Sequence, residues 1–204
     1  AQDITYYCDI QSAEQFDELF WATACQRKAD LHEELVFVCD GAVWIWKLIE
    51  RHFPHAVQIV DWYHASAYLP AVAEAAFGCD TPEYQAWLHQ ARTQLWEGQI
   101  DDLIHDCQLL AVNPTAAHAA QTAVSYFTNN QHRMDYARFR QQGYFIGSGT
   151  VESAGKQIAT LRLKRAGARW TETGAVQTAK ARAAWLSGEW EQLAAARAAL
   201  PLAI

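Results

Sequence analysis

The chain has 204 residues, is 51% hydrophobic and carries a formal net charge of −7. That is enough apolar material for one sizeable domain, or one domain with an insertion, while the acidic balance by itself argues against a general nucleic-acid binder. No apolar run approaches the about 20 residues that span a bilayer, so no membrane partner is expected, and no basic stretch followed by an apolar core marks a signal peptide.

The elements are predicted in chain order from periodicity and turn chemistry. "DITYYCDI" (3–10) is rich in Ile, Thr and Tyr and reads as a strand. The sequence begins almost inside it, so the chain reads as a fragment of something longer. "QSAEQFDELFWATACQRK" follows with a helical stripe at Phe16, Leu19, Phe20 and Thr23/Ala24, and with Ser12 and Gln15 spaced as a capping box. "ELVFVCD" is a second strand, apolar without alternation and so buried in character. "AVWIWKLIERHF" reads as a helix ending before Pro54. "AVQIVD" is a third strand, and "WYHASAYLPAVAEAAF" a third helix with an irregularity at Pro70. Strand–helix repetition of this kind implies a parallel α/β sheet.

The alternation then stops. From Gly78 to Gly143 only helical patterns occur, one of them with Tyr84, Trp87, Leu88, Ala91 and Leu95 on one stripe, another with Leu103, Cys107, Leu110 and Ala111. Asn113-Pro114 breaks the chain between helices. Residues 150–187 are helical again, with interruptions expected near Gly167 and Gly174. The Ala-rich tail (193–199) reads as a helix end or a linker. The five cysteines, Cys8, Cys25, Cys39, Cys79 and Cys107, are scattered and include no CxxC pair. A disulfide framework or zinc knuckle is therefore not expected, and a reducing cytosol fits.

Charge is unevenly spread. Residues 150–185 hold seven basic side chains (Lys156, Arg162, Lys164, Arg165, Arg169, Lys180 and Arg182) and two acidic ones (Glu152 and Glu172), a net of +5, while the remainder has nine basic and 21 acidic residues, a net of −12. Asymmetry of this kind suggests a local anionic partner.

Three stretches could carry chemistry. Asp40 closes a buried strand, where functional groups of parallel sheets collect, and Gly41 lets backbone or ligand approach closely. The plainer reading is a cap on the next helix. "DWYH" (61–64) closes the next strand in the same way, and if Asp61 caps, His64 sits in the first helical turn beside it. A zinc site is disfavoured because no other Cys/His pair has ligand spacing. "YFIGSGTVESAGKQ" (144–157) places two glycines around Ser148 and puts Glu152 in the first turn of a helix, where the helix dipole favours a carboxylate in any case. It is not a Walker loop, since Thr150 and Gln157 stand where that motif needs Gly and Ser or Thr. Basic residues follow Glu152 at once, an arrangement suited to a divalent ion bridged to a phosphate substrate.

Together, "DGAVWIWKLIERHFPHAVQIVDWYHASAYL", "GSGTVESAGKQIATLRLKRAGARW" and "GAVQTAKARAAWLSGEW" strongly resemble DDE-type transposases of bacterial insertion sequences, of the ISKra type. The resemblance covers nearly the whole chain. It implies an α/β RNase H-like core, a parallel or mixed sheet with flanking helices, carrying an all-helical insertion. The expected parts are a partial core at 1–77 with its first strands missing, the helical insertion at 78–143, the Glu-bearing helix and basic helical region at 144–190, and the tail at 191–204.

The resemblance further implies DNA strand cleavage and transfer with two Mg²⁺ ions, or Mn²⁺ in their place. Asp40 is then the second catalytic Asp and a metal ligand, Glu152 the final catalytic Glu and a metal ligand, and Asp61 and His64 the supporting D-x-x-H element. Lys156, Arg162, Lys164, Arg165 and Arg169 would hold DNA phosphates. The implied partners are DNA, as element ends and target, and further copies of the chain assembled on it. The implied location is the bacterial cytoplasm, on the nucleoid when bound to DNA. Trp170 could stack on a base, but a core position is favoured, because Trp is usually largely buried. One departure stands out: the family's first catalytic Asp has no counterpart here, and Asp9 does not match its motif. The chain therefore resembles the C-terminal part of the catalytic domain and is expected to be inactive alone. Two rivals follow, a non-catalytic, domesticated DNA- or protein-interaction module that keeps the fold, and a hydrolytic nuclease that cuts without joining strands.

Overall fold

Helices supply most of the regular structure in the computed structural model, which describes residues 4–198, the side chains of 150 and 197 excepted. The order begins α1 (Ala13–Gln26), β1 (Val36–Cys39), α2 (Val43–His52), β2 (Val57–Val60), α3 (Trp62–Ser66) and α4 (Tyr68–Phe77). It continues with α5 (Pro82–Trp96), α6 (Ile100–Leu110), α7 (Ala117–Asn130), α8 (Tyr136–Gln141), α9 (Gly149–Gly155), a π-helical stretch (Lys156–Thr160), α10 (Glu172–Leu186) and α11 (Trp190–Ala198). Among the described residues no helix is long and apolar enough to cross a membrane. The chain divides into two compact units, residues 30–148 and the segments on either side of them.

In the 30–148 unit β1 and β2 pair in parallel, with Val36 opposite Val57 and Cys39 opposite Val60. Parallel strands cannot be joined by a tight turn, and α2 provides the crossover between them. Five of the eight strand residues are β-branched, which suits a strand; Ile59 and Val60 are fully buried, while β1 is half-buried throughout. α2 lays Trp46, Leu48 and Ile49 into the core, and α4 adds Leu69, Val72 and Ala73. What was one predicted helix at 62–77 is two. They break at Ala67, because Pro70 lacks an N–H for the carbonyl of Ser66 and its ring crowds that carbonyl. Residues 78–143 hold helices and turns alone. Leu88, Ala91 and Leu95 of the expected α5 stripe are buried, and so are Leu103 and Cys107 of α6. The fully buried Tyr136 donates its hydroxyl to the Val60 carbonyl at 3.0 Å, which gives a buried phenol the partner it needs and ties α8 to the sheet.

The sheet of the described residues has two strands, so the architecture is α/β with a small parallel sheet in a mostly helical protein. The strand expected at 3–10 is not formed. Its first residue lies outside the described residues, and 4–10 run without strand pairing. The reason is the neighbour: this segment lies on a helix, which offers no ladder of backbone groups. The Tyr6 N–H instead donates to the Ser187 hydroxyl at 2.8 Å, and the Asp9 carboxylate pairs with Lys180 at 2.7 Å. That contact holds the Asp9 carboxyl below its usual range.

The same unit contains α1, whose capping box is complete. The Ser12 hydroxyl accepts the Gln15 N–H at 3.3 Å, and the Gln15 side chain accepts the Ser12 N–H at 3.2 Å. Its core joins Ala154 and Ile158 to Ala179 and Ala183 of α10, with Tyr6, Cys8, Leu163 and Leu186 packed against them. Gly167 falls in the break between helices, as expected, but Gly174 does not interrupt one. It sits in the first turn of α10, where its N–H donates to the capping Thr171 hydroxyl at 3.1 Å. The tail from Trp190 to Ala198 is helical.

Candidate functional site at the strand ends

The carboxyl ends of β1 and β2 deliver Asp40 and Asp61 side by side. The ladder continues one residue past the paired strands, with the Asp61 N–H donating to the Cys39 carbonyl at 2.7 Å. Neighbouring strands lie about 4.8 Å apart, so the two acids begin on adjacent rails. Their fates then differ completely.

Asp61 is buried, at 3% exposure. One carboxylate oxygen accepts the His64 N–H at 3.0 Å and so caps α3. The other accepts the Ser148 N–H at 2.5 Å and also the Ser148 hydroxyl. Burial pushes the Asp61 carboxyl up, but the Ser148 and His64 hydrogen bonds outweigh it, and the group lies below its ordinary value. Asp61 is thus a brace between α3 and the glycine-flanked loop at Ser148. Two further contacts fix this loop. The Trp62 N–H donates to the Ile146 carbonyl at 2.8 Å, and Gly147 lies so close to the Tyr63 ring that a Cβ there would stand 2.9 Å from it.

Asp40 remains exposed. It is not the cap of α2, whose N-cap position is Ala42 and has no side-chain cap. Instead one Asp40 oxygen accepts the Ala42 N–H at 2.9 Å and closes a local turn. The backbone around it is clamped from outside: the Tyr126 hydroxyl of α7 donates to the Asp40 carbonyl at 2.9 Å. Gly41, at φ +95°, is required twice over. Its backbone sits where L side chains are strained, and a Cβ would stand 2.8 Å from the Tyr126 hydroxyl oxygen. Tyr126 stacks on Tyr68 at 4.1 Å between ring centroids. Its phenol is pushed up by burial first, then by Tyr68 and by Asp40 and Asp61, so it stays a proton donor.

His64 is exposed, with its ring 6.3 Å from those of Tyr68 and Tyr126, and it meets Asp61 through its backbone N–H. Glu152 belongs to the other unit, exposed in the first turn of α9. The basic set follows it in that unit. Lys156 lies on the π-helical stretch, Arg162, Lys164, Arg165 and Arg169 in the irregular run before α10, and all five are exposed. Trp170 corrects the core expectation: it is 42% exposed, and its indole N–H donates to the Leu163 carbonyl at 3.0 Å.

Sequence reasoning gave no role to Ser148 or Tyr126. Ser148 had a signal, its two flanking glycines, but Tyr126 had none, because its partner lies 86 positions away. Among the described residues no group of three or more His, Cys, Asp or Glu is placed to hold a metal ion. In the 30–148 unit the shortfall has a cause: both Asp61 oxygens are engaged by N–H and O–H donors, which leaves Asp40 alone. No protein-family model matches the chain, and comparison with curated proteins and with solved structures found no match either.

Proposed function

We propose that this chain is a DNA-binding part of a DDE transposase-like nucleotidyltransferase with an RNase H-like fold, acting in DNA strand cleavage and transfer. Asp40 and Glu152 are its catalytic carboxylates, and Lys156, Arg162, Lys164, Arg165 and Arg169 its phosphate contacts. The observation that carries the reading is the treatment of Asp40. A carboxylate at the end of a parallel strand, which is half-buried rather than buried as its sequence suggested, is left exposed while its backbone is fixed by Tyr126 and Gly41. A rigid exposed acid at that place suits phosphoryl transfer, in which positioning is most of the catalysis.

Mg²⁺, or Mn²⁺ in its place, belongs to this reading through the resemblance. The donor set of the described residues falls short of the ions' needs, and no residue matches the first Asp, so no metal-dependent step is assigned to these residues. Assembly as a homo-oligomer on DNA and a place on the bacterial nucleoid go with the reading. The same shortfall favours the second reading, a non-catalytic DNA- or protein-interaction module.

DNA binding is tested by changing Lys164 and Arg165 to Ala together and measuring affinity for duplex DNA over a range of salt. Each lost phosphate contact lowers the slope of log affinity against log salt by about 0.9, so the pair should flatten it by about 1.8 and weaken binding to any sequence alike. An unchanged slope would put both side chains on an idle solvated face and remove the DNA reading.

A further inference from the structure

α10 has two working faces. Ala179 and Ala183 are packed into the core with Ala154 and Ile158. Thr178, Arg182 and Trp185 lie on a separate stripe at helical spacing. With Arg162, Gln177 and Trp190 that stripe lines an open cleft of about 410 Å³, within the range of sites that take small organic groups.

Two features of the cleft point to its occupant. Trp185 and Trp190 are 59% and 42% exposed, with ring centroids 6.4 Å apart and planes at 59°. Neighbouring exposed indoles leave a large apolar area in water, which marks an interaction site. Both charged residues lining the cleft are arginines and no carboxylate joins them, in a segment with a net charge of +5. Apolar rings alone would suit a protein segment. Rings with unneutralised guanidinium groups suit a chain that alternates flat aromatic groups with anions.

We propose that this cleft binds unpaired, single-stranded nucleic acid, with a base stacked on Trp185 or Trp190 and backbone phosphates held by Arg162 and Arg182. Stacking does not depend on base identity, since every base has a π-face, so binding is tolerant of sequence. The site goes beyond the function proposed above, because it requires no cleavage and, of the phosphate contacts proposed there, uses Arg162 alone.

The test is fluorescence anisotropy of a labelled oligothymidine with the full chain, across a salt series. Trp185→Ala and Trp190→Ala should each weaken binding about ten-fold, in line with the loss of one base–aromatic stack, while Trp185→Phe should retain most of the affinity. Arg162→Gln combined with Arg182→Gln should lower the salt slope by about 1.4, the single-strand value for two contacts. Circular dichroism checks folding for each variant, the half-buried Arg182→Gln above all. Failure of the wild-type chain to bind oligothymidine would overturn the proposal. So would Trp185→Ala and Trp190→Ala variants that bind it as tightly as wild type, which would leave the cleft to a protein partner. Lys164→Ala with Arg165→Ala reports on duplex binding separately, so the two readings can fail independently.

Discussion

Asp61 and Ser148, 87 positions apart, are joined twice: the Asp61 carboxylate accepts both the backbone N–H of Ser148, at 2.5 Å, and its hydroxyl. With the His64 N–H on the other oxygen, this carboxylate is the fastening of the strand-end region rather than an open ligand. The geometry separates two acids that the sequence presents alike, one committed to structure and one exposed.

Asp61→Asn should destabilise the protein by about 1–3 kcal/mol at neutral pH, because an amide nitrogen would face donors where an acceptor is needed. The pH dependence follows from the lowered carboxyl value. A carboxyl held lower in the folded protein than its unfolded value of about 3.9 stabilises in full above that value, and the contribution is lost as pH falls through the folded value. Urea unfolding of wild type and Asp61→Asn at pH 7 and again near pH 3 should show the gap between them narrowing in acid. A gap that stays constant would mean that the charge of Asp61 contributes nothing.

Gly41→Ala should cost about 1–3 kcal/mol, the size of strain at a positive φ in a residue with a Cβ. The steric part comes from Tyr126, whose hydroxyl oxygen would lie 2.8 Å from the new Cβ. Tyr126→Phe alone should cost about 1 kcal/mol for the lost bond to the Asp40 carbonyl. In the double variant the losses should sum to less than their total, because removing the hydroxyl relieves the contact that the methyl creates. Strict additivity in denaturant melts would place the whole Gly41 effect in the backbone.

Cys39 and Cys107 should resist alkylation in the native protein. Burial pushes each thiol up to about 12, helped at Cys39 by Asp40 and Asp61 and at Cys107 by Asp106, so almost none is thiolate at pH 8. Iodoacetamide labelling read by mass spectrometry should leave both unmodified until denaturant is added. Rapid native labelling of Cys39 would show that the end of β1 opens.

Asp40→Asn and Glu152→Gln should separate binding from chemistry. Neither contributes a phosphate contact, so duplex affinity should hold or rise slightly as a repelling charge is removed. In a longer protein that carries an upstream strand with the missing first Asp, each should lower single-turnover cleavage of an element-end duplex by about 10³-fold or more, as when a member of a catalytic unit is lost. Full activity of Glu152→Gln would return Glu152 to an ordinary first-turn helix residue.

What the sequence determined by itself is local. The capping box at Ser12 and Gln15, the two apolar strands with their shared exit into an Asp, the helical run from Gly78 to Gly143 and the basic tract after Glu152 all come from neighbours within a few positions, where backbone preferences and apolar period act. The tertiary structure decided what depends on distant partners. Residues 4–10 have the composition of a strand, but a strand needs a pairing edge, and the neighbour is α10. Trp170 has the size of a core residue, but it is 42% exposed and spends its indole N–H on the Leu163 carbonyl. Asp40 and Asp61 end their strands alike, but Ser148 engages the Asp61 carboxylate while Tyr126 holds only the Asp40 backbone carbonyl, each contact spanning more than 80 positions. Such contacts leave no period in the sequence, because nothing fixes their spacing along the chain except the fold that brings them together.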